Sequence, residues 1–121
     1  MQRLTSTAEP IFIDFQKILG STMILEVADI RVKSGLNDSF EKSVQLALDT
    51  IFPKAKGFLH HEFRRCIETP DRYLLLLTWA TLENHTVDFR ESSLYTEWRS
   101  LVGDFFAQPP IVEHFLELVD C

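Results

Sequence analysis

Hydrophobic and polar residues alternate with two different periods along this chain, and the changes of period divide it into elements. The stretch from Met23 to Val32 is rich in isoleucine, leucine and valine and predicts a strand, which ends at Lys33-Ser34-Gly35. Apolar residues at helical spacing follow from about Asn37 to Phe52 and share one face. Pro53 ends this helix, because proline lacks the backbone N–H that a helix interior needs.

Two strands and a turn come next. Phe58 to Ile67 and Tyr73 to Trp79 are predicted to be strands, and Thr69-Pro70-Asp71 between them is a strong turn signal. Residues 111 to 118 are predicted to form the last strand.

A helical region in two parts lies between the third and the last strand. Thr81 is a suitable N-cap for a short helix that carries Leu82, His85 and Phe89 on one face. Ser92 or Ser93 would cap the next helix. The apolar face of that helix consists of Leu94, Trp98, Leu101, Val102 and Phe105.

The resulting order is β-α-β-β-α-β, with the second helix broken in two. This order predicts an α+β protein of the ferredoxin-like kind, an antiparallel sheet with helices on one face. The domain would span residues 21–121, and residues 1–20 would form an N-terminal extension. The extension should contain a short amphipathic helix that docks on the domain or on a partner, through Ile11, Phe12, Phe15, Ile18 and Leu19.

The third strand suggests that one copy of the chain is not enough. From Tyr73 to Leu77 no polar residue alternates with the apolar ones, so both faces of the strand are apolar. A sheet with helices on one side only should carry polar residues on the other. We therefore expect a homodimer in which two sheets pack against each other; the alternative is that the N-terminal segment covers this face.

Composition and charge exclude several classes of function. The net charge of -6 and the absence of a Lys/Arg cluster argue against a nucleic-acid partner. No apolar run approaches the length of a membrane span, and the first ten residues lack the apolar stretch of a signal peptide. Cys66 and Cys121 could form a disulfide, but their spacing does not require one, so a cytoplasmic, reduced protein is expected.

Several short motifs resemble the antibiotic biosynthesis monooxygenase family over about residues 22 to 118. They are Tyr73 to Trp79, Leu82 to His85, Phe89 to Ser92, Tyr95 to Trp98 and Pro110 to Phe115. The resemblance implies a dimeric α/β barrel with a pocket between the sheet and the helices of each subunit. The family includes cofactor-free oxygenases of polyphenols, haem-degrading enzymes and proteins that act on small signalling molecules.

The haem-degrading branch uses an Asn, a Trp and a His ligand at three positions. The matching positions here are Ala28, Phe89 and Arg99. Since no imidazole lies near Arg99, haem degradation is disfavoured.

His85 is the first candidate for chemistry, because it shares an inward helix face with Leu82 and Phe89. A neutral imidazole could take the phenolic proton of a bound substrate. The alternative is a buried histidine that only satisfies a core hydrogen bond. Around it, an apolar wall is expected from Trp79, Phe89, Tyr95 and Trp98, although a core role is favoured for Trp79 itself.

The remaining candidates lie on strands. His60, Glu62 and Arg64 share one face of the second strand, with Phe58 and Cys66 at its ends. They could orient a substrate or, with a third ligand, hold a metal; an inter-subunit salt-bridge row or a solvated edge is the alternative. His114 could serve the pocket or the dimer interface. Glu26 is flanked by apolar residues, so its pKa should be raised unless Arg31, Arg64 or Arg65 pairs with it.

The resemblance therefore implies a monooxygenase of a small aromatic or quinol-like metabolite, with His85 as base and without flavin, metal or haem. Two alternatives remain open. One is a non-catalytic small-molecule-binding or stress-response protein with the same dimeric barrel, and the other is an isomerase of a small signalling molecule.

Overall fold

The computed structural model describes residues 23–118. The predicted amphipathic helix of the N-terminal extension and Cys121 lie outside these residues. The strands are β1 (Ile24–Arg31), β2 (Phe58–Arg65), β3 (Arg72–Trp79) and β4 (Ile111–Leu116). The helices are α1 (Asn37–Thr50), a π-helical turn (Asn84–Phe89) and α2 (Ser93–Val102), with 3-10 turns at Phe52–Lys54 and Gly103–Phe105.

The four strands form one antiparallel sheet in the order β2-β3-β1-β4. The helices cover one face of it, so the α+β, ferredoxin-like prediction is confirmed. The predicted break in the second helix is confirmed as well, because the π-helical turn and α2 are separate elements. Strands β2 and β4 are each two residues shorter than predicted, ending at Arg65 and Leu116.

The core lies between the sheet and α1 and α2. Every second residue of β1 and β3 is buried against the helices, while the residues between them are half-buried on the other face. Phe40 and Val44 of α1 and Val102 of α2 are fully buried against this inner face. The inner face of the sheet therefore positions any side chain that reaches the space beneath the helices.

The outer face of the sheet remains partly apolar. Leu74 and Leu76 of β3 are half-buried there, and Phe115 of β4 is 48% exposed. The unalternating run in β3 thus has one fully buried side and one that only a further layer would bury.

The register of β2 differs from the prediction at one point. A β-bulge between Phe58 and His60 places both Phe58 and His61 on the inner face, since Phe58 pairs with Trp79 and His61 with Leu77. The assignment of Phe58 to the same face as His60 was wrong, because the extra residue of a bulge reverses the alternation. Leu59, the bulged residue, is exposed.

No helix among residues 23–118 is both long and apolar enough to cross a membrane.

Candidate active site

The helix that carries His85 begins with a reciprocal pair of hydrogen bonds. The backbone N–H of Asn84 donates to Oγ1 of Thr81 at 3.1 Å, and the N–H of Thr81 donates to Oδ1 of Asn84 at 3.0 Å. This arrangement satisfies two N–H groups that a helix start leaves unpaired, and it confirms the predicted capping role of Thr81.

The backbone of Gly57 lies close to the side chain of the same asparagine. Its φ is +80°, and a Cβ built on it would lie 1.9 Å from Oδ1 of Asn84. The glycine is therefore required both by its backbone conformation and by the close approach of Asn84. The start of the helix is fixed against the loop that leads into β2.

The helix then widens into a π-helical turn. The N–H of Arg90 donates to the carbonyl of His85, five residues earlier, at 3.2 Å. Such turns add a residue to the helical repeat and are frequent at functional sites. Here His85 and Phe89 are buried while Arg90 is exposed at the end of the turn.

His85 lies at the centre of a row of polar groups in the core. Only 3% of it is exposed, and its ring stacks on Trp79 with centroids 5.4 Å apart. Its Nε2 is 3.3 Å from Oε1 of Glu26, and its Nδ1 is 2.8 Å from Nε2 of His114. The predicted inward orientation of His85 is confirmed, and both of its ring nitrogens have partners.

Glu26 is the buried carboxylate of this row. It is 6% exposed, and its Oε1 accepts a hydrogen bond of 2.9 Å from Nε1 of Trp79. Both of its contacts go to Oε1, so Oε2 has no hydrogen-bond partner within residues 23–118. Burial raises the pKa of Glu26 to about 7, although the hydrogen bond from Trp79 and the charge of Arg90 lower it.

The expectation of a raised pKa at Glu26 is confirmed. The arginines that could have prevented it bind elsewhere or form no ion pair among the described residues. Arg64 pairs with Glu62 and Arg65 with Glu41, and Arg31 makes no salt bridge within residues 23–118.

The two histidines are held in the neutral form. Burial lowers the pKa of His85 to about 3, and the charges of Arg90 and His114 act in the same direction. Burial, followed by the charge of Arg90, also lowers the pKa of His114. A neutral imidazole donates through one nitrogen and accepts through the other, so each histidine can link two partners.

A cavity of about 60 Å³ lies between the sheet and the helices, next to this row. Glu26 and His85 line one side of it, and Tyr95 and Trp98 of α2 line another. Arg90, together with Arg99 of α2, borders the cavity and is exposed to solvent. The cavity therefore combines a buried carboxylate, an aromatic wall and a cationic entrance.

The structure separates the predicted wall residues into two groups. Tyr95 and Trp98 line the cavity, whereas Trp79 and Phe89 are buried behind it, in contact with His85. Trp79 supports the site through its bond to Glu26 rather than as a surface for a ligand.

Glu62 and Arg64 are not part of this site. They lie on the outer face of the edge strand β2, where Nη2 of Arg64 is 2.7 Å from Oε1 of Glu62. His60 is 3.9 Å from the same carboxylate. Their assignment to substrate binding is therefore corrected, since the sheet stands between them and the cavity. The ion pairs of this group lie within one chain on an exposed edge strand, which agrees with the alternative of a solvated edge.

The pairing of His114 with His85 and the role of Arg90 were not predicted. His114 was left between the pocket and the dimer interface, and it lies on the inner face of β4, opposite Glu26. An inward histidine on each of two elements was the available signal, but their sequence separation of 29 residues leaves the contact undetermined. Within residues 23–118, no group of three or more His, Cys, Asp or Glu side chains is arranged to hold a metal ion.

Comparison with known proteins gives consistent matches over this domain. The family model described as antibiotic biosynthesis monooxygenase matches residues 23–101. The uncharacterised protein YczJ of Bacillus subtilis (strain 168) is 41% identical over 96 residues, which are 79% of this chain and all of that protein.

Solved structures show the same fold. A Bordetella bronchiseptica protein that bears the same family name is 43% identical, with a TM-score of 0.77 over 80% of this chain and 98% of that one. A monooxygenase from Streptomyces coelicolor, ActVA-Orf6 in complex with nanaomycin D, is 16% identical. Its TM-score is 0.66 over 81% of this chain and 89% of that chain, a likeness that concerns the fold.

Proposed function

Since the chain belongs to the antibiotic biosynthesis monooxygenase family, we propose that it is a cytoplasmic monooxygenase that acts on a small aromatic or quinol-like metabolite without a cofactor. The observation that carries this proposal is the buried carboxylate of Glu26 at the cavity, with its pKa raised to about 7. A general base is most effective when its pKa lies near the working pH.

The reaction requires a base because the substrate itself supplies the electrons. Removal of a phenolic proton gives an electron-rich anion that can reduce dioxygen. For a phenol, one oxygen atom replaces a ring hydrogen and becomes a quinone carbonyl, and the other oxygen leaves as water. The phenolic and the ring hydrogen end in that water, and the substrate provides all four electrons.

Glu26 is the group that we assign to proton abstraction. Its Oε2 is free of hydrogen bonds within residues 23–118, so it can accept a proton from a hydroxyl in the cavity. Glu26 must then release this proton to solvent before the next turnover, and the oxygen that leaves as water takes up one proton from solvent in its place.

His85, which the sequence suggested as the base, acts in this proposal through Glu26. Both of its ring nitrogens are engaged, and its pKa of about 3 makes it a weak base. Its contact with Oε1 orients the carboxylate.

The entrance favours a substrate that becomes anionic. Arg90 and Arg99 border the cavity, and their charges would stabilise a phenolate or an acidic substituent. A cavity of about 60 Å³ is smaller than the roughly 150 Å³ that holds a benzene ring. Binding of an aromatic ring therefore requires the side chains of Tyr95, Arg90 and Arg99 to move outward.

We also propose that the protein is a homodimer through the outer face of its sheet. Leu74 and Leu76 are half-buried there, and Ile111 and Phe115 are 56% and 48% exposed. Exposed apolar side chains grouped on one face of a sheet are typical of an interface. Sheet-to-sheet packing would bury it while leaving the cavity beneath the helices accessible.

Oxygen consumption tests the function directly. The wild-type protein is assayed with a panel of phenols and hydroquinones, beside Glu26→Gln and the matched control Glu97→Gln on the exposed side of α2. We expect oxygen uptake with at least one substrate, roughly a hundredfold lower kcat for Glu26→Gln, and no change for the control.

Two results would overturn the proposal. One is a wild-type protein that consumes no oxygen with any member of the panel; ligand binding without oxygen uptake would then indicate a non-catalytic binding protein. The other is a Glu26→Gln variant that is as active as the wild type.

A further inference from the structure

Glu26 is only 6% exposed, and two imidazoles, of His85 and His114, lie in a row between it and the edge strand β4. We propose that His85 and His114 form a proton relay that connects Glu26 with solvent at β4. This inference rests on the proposed role of Glu26 as the base. It assigns a function to two histidines that do not act on the substrate themselves.

The geometry of the row is that of a relay. Oε1 of Glu26 is 3.3 Å from Nε2 of His85, and Nδ1 of His85 is 2.8 Å from Nε2 of His114. The exposed fraction increases along the row: Glu26 and His85 are buried, and His114 is half-buried. Each imidazole can thus accept a proton on one ring nitrogen and donate a proton from the other.

His114 also borders a second cleft, separate from the cavity. This cleft is lined by Ile24 of β1, by Leu82 of the His85 helix, and by Phe115 and Leu116. The described residues around this end of the row are apolar, so a proton that leaves His114 meets solvent and no competing base within the cleft.

A relay is needed because Glu26 is buried. A base must release the proton it holds before it can accept one from the substrate, and once the substrate fills the cavity, the entrance no longer offers a route to solvent. The row behind the carboxylate provides a route that the substrate does not block.

The transfer can be written atom by atom. The carboxyl group of Glu26, protonated at Oε2, first rotates so that its proton faces Nε2 of His85. The proton then passes to that Nε2, the Nδ1 proton of His85 moves to Nε2 of His114, and the Nδ1 proton of His114 goes to water. One proton leaves Glu26 and one reaches solvent. Both imidazoles end in the opposite tautomer and remain neutral.

The charges around the relay favour a concerted transfer. Three groups act on His114. Glu26 lies opposite it in the β1–β4 pair, and His85 contacts it from the π-helical turn. The third is Arg90, whose charge lowers the pKa of His114. Burial and Arg90 both disfavour an imidazolium at His85. A proton therefore passes along the row without stopping on either ring.

The tautomers of the two histidines provide the first test, which needs no substrate. In ¹⁵N-detected histidine spectra of the full-length protein, we expect His85 and His114 to exchange tautomers together as Glu26 titrates. His61, on the inner face of β2, serves as the reference histidine. Tautomers that stay unchanged over the titration of Glu26 would overturn the relay.

Kinetics of His114→Gln provide the second test. Glutamine can keep a hydrogen bond to His85 but cannot pass a proton by tautomer exchange. With an active substrate, we expect roughly tenfold lower kcat, an unchanged KM and partial recovery on addition of free imidazole. The matched control His61→Gln should behave as the wild type.

The outcomes separate this inference from the proposed function. If the wild type consumes no oxygen but its histidines exchange tautomers together, the monooxygenase proposal fails and the relay stands. If the wild type is active and His114→Gln has the same kcat and pH profile, the relay is wrong and the monooxygenase proposal stands.

Discussion

Nε1 of Trp79 donates a hydrogen bond of 2.9 Å to Oε1 of Glu26, between two side chains that are 53 positions apart and both buried. The bond joins the end of β3 to the centre of β1 on the inner face of the sheet. It leaves the carboxylate anchored through one oxygen, with the other available to the cavity.

Replacement of Trp79 by Phe should raise the pKa of Glu26 further. The indole N–H stabilises the charged carboxylate and so lowers this pKa, in opposition to burial. A hydrogen bond to a charged group contributes about 1.5–3 kcal/mol, so we expect an increase of about one pKa unit or more. The titration is followed by ¹³C NMR of the Glu26 carboxyl group.

Trp98→Phe is the matched control for this change. Trp98 is buried at the same cavity but makes no hydrogen bond to Glu26. A pKa of Glu26 that responds equally to both substitutions would show that packing, and not the indole N–H, determines it.

The stability of the protein should depend on pH through Glu26 in a defined direction. Its pKa is 4.5 when exposed and about 7 in the folded protein, so the folded state binds the extra proton between these values. The stabilisation is complete below pH 4.5 and is lost as the pH rises through 7. Relative to Glu26→Gln, the wild type should lose about 3 kcal/mol of unfolding free energy over this range.

The protonation of His85 changes the stability with pH in the opposite direction. The pH dependence is therefore measured as the difference between the wild type and Glu26→Gln. The pKa of His85 falls from 6.5 to about 3, so its contribution to stability is present above pH 6.5 and is lost as the pH falls towards 3. Urea unfolding of wild type and Glu26→Gln at pH 5 and pH 8 isolates the Glu26 part. Equal stability differences at the two pH values would contradict the raised pKa.

Gly57→Ala should destabilise the fold more than Gly35→Ala. Both glycines have positive φ, of +80° and +86°, so both substitutions carry the cost of a left-handed backbone, about 1–2 kcal/mol. Only at Gly57 would the new Cβ meet another group, Oδ1 of Asn84 at 1.9 Å, whereas nothing lies within 4 Å at Gly35.

The difference between the two variants measures the contact with Asn84. Chemical unfolding gives both free energies, and we expect Gly57→Ala to be the less stable by at least 1 kcal/mol. Equal stability of the two variants would show that the loop before β2 moves to make room for the methyl group. The close approach of Gly57 to Asn84 would then not fix the position of the His85 helix.

Leu76→Glu should convert a dimer into a monomer. Leu76 lies on the outer face of the sheet, and a charged residue at the centre of a sheet-to-sheet interface would be desolvated without a partner. Sedimentation at micromolar concentration should show a dimeric wild type and a monomeric variant.

The same substitution on another surface is the control. Leu46 on α1 is 50% exposed, and Leu46→Glu should remain dimeric. A wild-type protein that sediments as a monomer would remove the proposed interface.

The order of elements and the ends of most of them could be predicted from the sequence. Helix and strand periods are local properties, so the apolar face of α1 with Phe40 and Val44, and the strand from Tyr73 to Trp79, follow from a few neighbouring residues. The bulge at Leu59 could not be predicted, since it depends on the pairing of β2 with β3.

The candidate site was only partly predictable for the same reason. The apolar neighbours of Glu26 indicated a buried acid, and the spacing of Leu82, His85 and Phe89 indicated an inward histidine. Both were confirmed. Glu62 and Arg64 were misplaced, because alternation along a strand shows which residues share a face but not which face meets the helices.

The sequence by itself therefore determined the fold class, the inward orientation of His85 and the burial of Glu26, because local periodicity and composition encode these properties. Only the tertiary structure decided that Glu26, His85 and His114 form one row, that Trp79 supports them from behind, and that Tyr95 and Trp98 face the cavity. These contacts join residues on five different elements. Their distances depend on strand register and on the π-helical turn, which no single stretch of the chain specifies.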